Sequence, residues 1–202
     1  MDARYNRLFL FALITSLLFL SISIEGCVNN GATWFPRRDA NIGITAKQGY
    51  AKALDKINAT YNGSINETYL IRIRSTAGDV TKSGKATYWM FDFCLKEITN
   101  QYRNMTVYIY NNGTKTIYDR NQTSLYAPQY FIQNWTVDSN RAMQLTLNKK
   151  DVSDFIKKRS TVDVDRMDLS NYYEMIRWTI RLHGEDTLDS PIYITTVING
   201  SE

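Results

Sequence analysis

The sequence predicts an α+β fold of two repeated modules, each an N-terminal helix packed on an antiparallel meander sheet. Two observations carry this expectation. Apolar residues recur at helical spacing after Thr45 and again after Asp138, and runs alternating between apolar and polar residues follow each of these segments. The order of helix first and strands after therefore occurs twice, as a diverged tandem duplication would produce.

The chain begins with Arg4 and Arg7, then a 17-residue stretch without charge from Leu8 to Ile24, then Glu25-Gly26-Cys27. Basic residues favour the cytoplasmic side, and as a helix the apolar stretch would span about 25 Å. Residues 1–26 therefore read as a signal peptide or membrane anchor, with cleavage and retention both open on length alone. Ile24-Glu25-Gly26-Cys27 resembles the lipobox of prokaryotic lipoproteins, with Ile24 and Gly26 in pattern and Glu25 outside it. That resemblance implies lipidation of Cys27. On either route Cys27 and the residues after it lie on the extracytoplasmic face of the cell membrane. Residues 27–43, with Asn29-Asn30-Gly31, Pro36 and no steady period, read as a flexible tether on which Trp34 and Phe35 could dock back.

The first module covers residues 44–119. Thr45 is placed to cap a helix carrying Ala46, Tyr50, Ala53, Leu54 and Ile57, which ends at Asn62-Gly63. Alternation then sets Tyr69, Ile71 and Ile73 against Leu70, Arg72 and Arg74, and Trp89, Phe91, Phe93 and Leu95 against Tyr88, Met90 and Asp92. A turn falls at Ser83-Gly84. Met105, Val107 and Ile109 share a face, and Asn111-Asn112-Gly113-Thr114 turns the chain into Thr116-Ile117-Tyr118.

A connector, 120–134, leads to the second module at 135–202. Asp138 or Ser139 caps a helix with Ala142, Met143 and Leu145, and Asp151 caps its continuation through Val152, Phe155 and Ile156. Strands follow through Val162 and Val164, through Ile176 to Leu182, and through Ile192 to Ile198. The two halves are commensurate: Ala53 precedes Trp89 by 36 residues, and Ala142 precedes Trp178 by 36. Trp89 precedes Asn112-Gly113-Thr114 by 23, and Trp178 precedes Asn199-Gly200-Ser201 by 21.

Eight asparagines stand in Asn-X-Ser/Thr sequons: Asn58, Asn62, Asn66, Asn104, Asn112, Asn121, Asn134 and Asn199. About two or three are expected by chance at this composition, so the excess points to N-glycosylation of an exported surface protein. The formal net charge is +4, from 24 basic and 20 acidic residues, without a dense basic cluster, so a nucleic-acid partner is not expected. The two cysteines are Cys27 and Cys94. With Cys27 lipidated, Cys94 is a free thiol in an apolar strand; without lipid, a bridge between them is open.

On Trp135-Thr136-Val137-Asp138-Ser139 with Ala142, Trp178-Thr179-Ile180, and Ile192 through Gly200, the chain is similar to PepSY and PepSY-like domains, here in tandem over about residues 44–201. With the leader and the sequons, the whole resembles an archaeal-type surface lipoprotein. The resemblance implies extracytoplasmic, non-catalytic modules of the kind found beside proteases, some of them restraining peptidases. It carries over no catalytic residue.

Other constellations read as surface structure. Asp163, Asp165 and Asp168 have no glycine-containing calcium loop, and Glu185-Asp186 with Asp189 is a second acidic loop, so no metal or cofactor is expected. Arg72, Arg74, Arg177 and Arg181 project from polar strand faces, and Tyr108, Tyr110 and Tyr118 gather around one hairpin. No Gly-X-Ser-X-Gly elbow, phosphate loop or zinc pattern occurs, and His183 is the single histidine, so no catalytic residue and no enzymatic activity are expected. The expected function is binding of a surface protein or peptide by a membrane-tethered module. The alternative is a structural component that binds glycan or envelope polymer; a hydrolase would need a pocket joining two carboxylates.

Overall fold

The computed structural model describes residues 33–34, 43–76, 79–113, 115–119, 128–185 and 192–201. The leader at 1–26, Cys27, Asn121, and Asp186 and Asp189 lie outside them. The described residues belong to one compact unit, Ala32–Glu202.

The fold is α+β. Strand β1 (Thr33–Trp34) precedes helix α1 (Ala46–Tyr61), four strands follow as β2 (Ile65–Thr76), β3 (Tyr88–Glu97), β4 (Tyr102–Tyr110) and β5 (Lys115–Asp119), and a 3₁₀ turn lies at Pro128–Tyr130. Helices α2 (Ser139–Leu147) and α3 (Lys150–Lys157) then lead to β6 (Thr161–Tyr172), β7 (Met175–Glu185) and β8 (Ile192–Asn199). Seven strands form one antiparallel sheet in the order β5-β4-β3-β2-β6-β7-β8. The strands of the two halves thus share a sheet, joined where β2 pairs with β6 from Arg72–Ser170 to Thr76–Arg166. Within the segment read as a tether, the backbone of β1 pairs in parallel with β6 at Thr161 and Val162.

The helices cover one face of this sheet, α1 over β2 to β4 and α2 with α3 over β7 and β8. Between the layers lies one continuous core containing Trp89, Phe91, Phe93, Leu95, Ile109, Leu169, Trp178 and Ile180, all fully buried. Each such side chain contributes about 1.5–3 kcal/mol of transfer free energy. At Gly49 the helix approaches so closely that a Cβ would stand 2.8 Å from the Phe91 ring, which fixes glycine there.

Thr45 caps α1 as the sequence predicts, with a full capping box to Gln48, and Asn62 ends the helix in the left-handed conformation at φ 37°. Asp138 caps α2, accepting from Ser139 N. For α3 the N-cap is Lys149, and Asp151 sits in the first turn, where its charge suits the helix dipole.

The two helix starts meet at the centre. Ala46 N donates to Ser139 Oγ at 2.9 Å, and Lys47 N to Asp138 Oδ1 at 3.0 Å, so residues beginning α2 satisfy orphan donors of α1. The indole N–H of Trp89 donates to Ile44 O at 2.8 Å and that of Trp178 to Val137 O at 2.7 Å, each carbonyl just ahead of an N-cap. The rings of Trp89 and Trp178 meet edge to face at 6.1 Å. The buried positions include Ala46, Gly49 and Ala53 on α1 and Ser139, Ala142 and Thr146 on α2. Trp89 pairs across strands with Ile109, and Trp178 with Ile198.

Two β-bulges overturn the simple alternation. In β2 a register shift between Leu70 and Arg72 puts Leu70 and Ile73 in the core and leaves Ile71 half-buried, while Tyr69 stacks on Phe131 at 4.3 Å. In β6 a shift between Val164 and Arg166 changes the inward set from Val162 and Val164 to Met167 and Leu169. His183 lies inside β7, opposite Asp163 and Tyr193.

Candidate functional site

The sheet face away from the helices is built by the alternate residues of β2, β6, β7 and β8. Their register aligns three rows across four strands: Thr76-Arg166-Arg181-Thr195, Arg74-Asp168-Thr179-Val197 and Arg72-Ser170-Arg177-Asn199. Five of the twelve positions are arginines and one is a carboxylate. Arg166 and Arg181 stand directly opposite each other, an arrangement that costs stability between strands unless anions offset it.

Asp168, 4% exposed, is the anchor of this face. Its Oδ2 accepts from Arg72 through Nε at 2.6 Å and through a terminal guanidinium nitrogen, and also from Arg166 at 3.0 Å. A single buried carboxylate oxygen is therefore shared by two cations. Arg181 pairs with Asp165, Arg74 with Asp92, and Arg177 lies over the ring of Tyr172 at 4.3 Å. Arg72, Arg166 and Arg181 surround a depression of about 300 Å3, together with Asp168 and the hydroxyl residues Ser170, Thr179 and Thr195.

Next to the depression β8 ends the sheet. Lys149 Nζ reaches Val197 O at 3.0 Å, which shows that this carbonyl points away from β7 and blunts the edge with a charge. At the end of the same strands, the β6–β7 turn holds Tyr173 and Glu174 at φ 50° and 65°, a backbone that usually selects Asn-Gly. Tyr173 is 74% and Met175 57% exposed there, beside a second depression of about 450 Å3 lined in part by Met175, Arg177 and Val197.

The structure brings together the three segments that carried the family resemblance: Trp135 packs edge-on against Trp178 at 6.1 Å, and Thr136 and Val137 both donate to Gly200 O. Asp163, Asp165 and Asp168 are kept apart in function, serving Val164 N, Arg181, and the Arg72–Arg166 pair. Among the described residues no group of three or more His, Cys, Asp or Glu is placed to hold a metal ion. Burial pushes the Asp163 carboxyl above its usual range, with the neighbouring Asp165 and Asp79 acting in the same direction and His183 and the Val164 amide opposing.

Of the sequon asparagines, Asn58 and Asn66 are exposed on α1 and β2, Asn62 at the end of α1, Asn112 in the β4–β5 turn, Asn134 before α2 and Asn199 on β8. Asn104 is 5% exposed on β4. Cys94 is a buried free thiol whose pKa is raised by desolvation. Tyr110 and Tyr118 are exposed at the opposite end of the sheet, Tyr110 packing on Tyr88 at 5.6 Å. Among the described residues no helix is long and apolar enough to cross a membrane. The sequence pattern does not single out Arg166, because the bulge beside it hides its face from a simple alternation.

Comparison of the chain with protein-family models, with curated proteins and with solved structures finds no match.

Proposed function

We propose that this chain is an extracytoplasmic interaction protein, held at the membrane by a lipid on Cys27 or by an uncleaved N-terminal helix, and acting by binding rather than by reaction. Its partner is a surface protein or peptide, a peptidase among the candidates that a PepSY-like character suggests. The body is read as two diverged copies of a PepSY-like helix-and-meander module. The matched Trp89 and Trp178 hydrogen bonds and the matched buried positions of α1 and α2 support that reading. The sequon excess supports export.

The observation that carries the binding reading is the edge strand β8, whose Val197 carbonyl points outward beside a face bearing exposed Tyr193 and Val197. An extended segment can add to such an edge, main-chain bonds supplying affinity and alternate side chains specificity. A photo-crosslinking residue at Tyr193 of the full-length protein in intact envelopes should give a discrete protein adduct. The same residue at Asp55, exposed on the helix layer, should not. Absence of an adduct at Tyr193, or identical adducts at both positions, refutes the proposal. The alternative, binding of glycan or envelope polymer, draws on Tyr118, 64% exposed on the opposite edge strand. It requires sugar binding on a glycan array that is lost in Tyr118→Ala.

A further inference from the structure

We propose that the depression around Asp168 receives the carboxylate of an acidic side chain, presented by a peptide lying along β8. This rests on the reading that the chain binds a peptide partner, and it names the chemistry that selects that peptide.

On this face arginines outnumber carboxylates. Asp168 is shared by Arg72 and Arg166, and Arg166 faces Arg181 across the β6–β7 ladder. Counting Asp168 and Asp165 against the three arginines leaves one positive charge in excess around the depression. The Arg166 and Arg181 side chains are 41% and 45% exposed, so guanidinium donors not used by Asp168 and Asp165 face solvent there. Forked donors beside hydroxyl groups match a carboxylate, and a single excess charge matches a monoanion.

The position of the depression selects the occupant. Thr195 belongs both to its wall and to the edge strand, and its cross-strand partner is Arg181. A strand added to β8 would lie about 4.8 Å beyond it, with alternate side chains on this same face. An acidic side chain opposite Thr195 would then extend over that small residue toward Arg181. The Lys149 contact with Val197 O is exposed, so an incoming strand can displace it.

The test uses the full-length protein in detergent and fluorescein-labelled hexaglutamate, with hexaglutamine as the neutral counterpart, read by anisotropy at low and moderate salt. Hexaglutamate should bind and hexaglutamine should not. Arg181→Gln and Arg166→Gln should each weaken binding by about fivefold or more, the scale of losing about 1 kcal/mol. Arg181→Lys should recover only part of the loss, because it restores charge without the fork. Lys150→Gln, on a side chain 90% exposed on α3, removes the same charge elsewhere and should leave binding unchanged. Thermal unfolding of each variant separates lost binding from lost folding. Failure of hexaglutamate to bind, equal losses in Lys150→Gln and Arg181→Gln, or binding of an oligogalacturonate in place of the peptide overturns the proposal. If the Tyr193 adduct forms undiminished in folded Arg181→Gln, the carboxylate site is refuted while the peptide-binding reading stands.

Discussion

Replacing Ser139 by Ala tests how far the two halves depend on each other. Ser139 is the first residue of α2, yet its hydroxyl accepts the amide proton of Ala46, the first residue of α1. Both residues are fully buried, so water cannot take the place of the hydroxyl. Leaving a buried donor unsatisfied costs about 1–3 kcal/mol. Alanine recovers a few tenths of a kcal/mol through helix propensity, and loss of one oxygen opens almost no cavity. The expected net destabilisation is about 2 kcal/mol, which in a domain of this size lowers Tm by roughly 4–8 °C. Denaturant unfolding followed by tryptophan fluorescence measures the total, and hydrogen exchange locates it. Amides of the first turn of α1, some ninety residues away in sequence, should exchange faster. Unchanged stability, or faster exchange confined to α2, would refute the reasoning.

Intact-mass analysis of the membrane-extracted protein should show a chain beginning at lipid-modified Cys27 with glycan increments; retention of Met1 to Gly26 would instead establish the uncleaved anchor. Glycopeptide mapping should find Asn104 bare, since the folded sheet buries it, while exposed sites such as Asn62 and Asn112 are occupied. Asp163→Asn should raise Tm at neutral pH, because a carboxyl with a raised folded pKa contributes its stability while protonated and loses it as pH rises through that pKa. The gain should vanish on acidification below the usual carboxylate range, and a less stable variant at pH 7 would contradict it. Iodoacetamide should leave Cys94 unmodified in the native protein and alkylate it on unfolding, since burial both hides the thiol and keeps it protonated.

Much of the local architecture was legible in the sequence, because caps and turns are written in single residues. Thr45, Asp138 and Asn62 stand at the helix ends that their side chains specify, and Asn111-Asn112-Gly113 turns β4 into β5. Alternation also identified the inward row from Trp89 to Leu95. It failed at Ile71 and Arg166, where a bulge adds one residue and reverses which side chains face inward. That failure matters for the candidate site. Arg72 and Arg181 were readable as outward cations, but the convergence of Arg72 with Arg166 on Asp168 depends on the β2–β6 pairing, and no local pattern encodes a contact between residues so distant in sequence.

The β2–β6 seam has a consequence for the newly made chain. Local hairpins can close β3–β4 and β6–β7 early, whereas pairing β2 with β6 must wait for a loop of nearly a hundred residues to be drawn in. Until then each half presents a bare inner edge, open to a neighbouring molecule. The charges on those edges discriminate among the outcomes. Two β2 edges would bring Arg72 and Arg74 against another chain's arginines, while the correct union places Arg74 across from Asp168 and brings Arg72 onto the same carboxylate. The charges that organise the outer face thus also disfavour pairing of two β2 edges between copies.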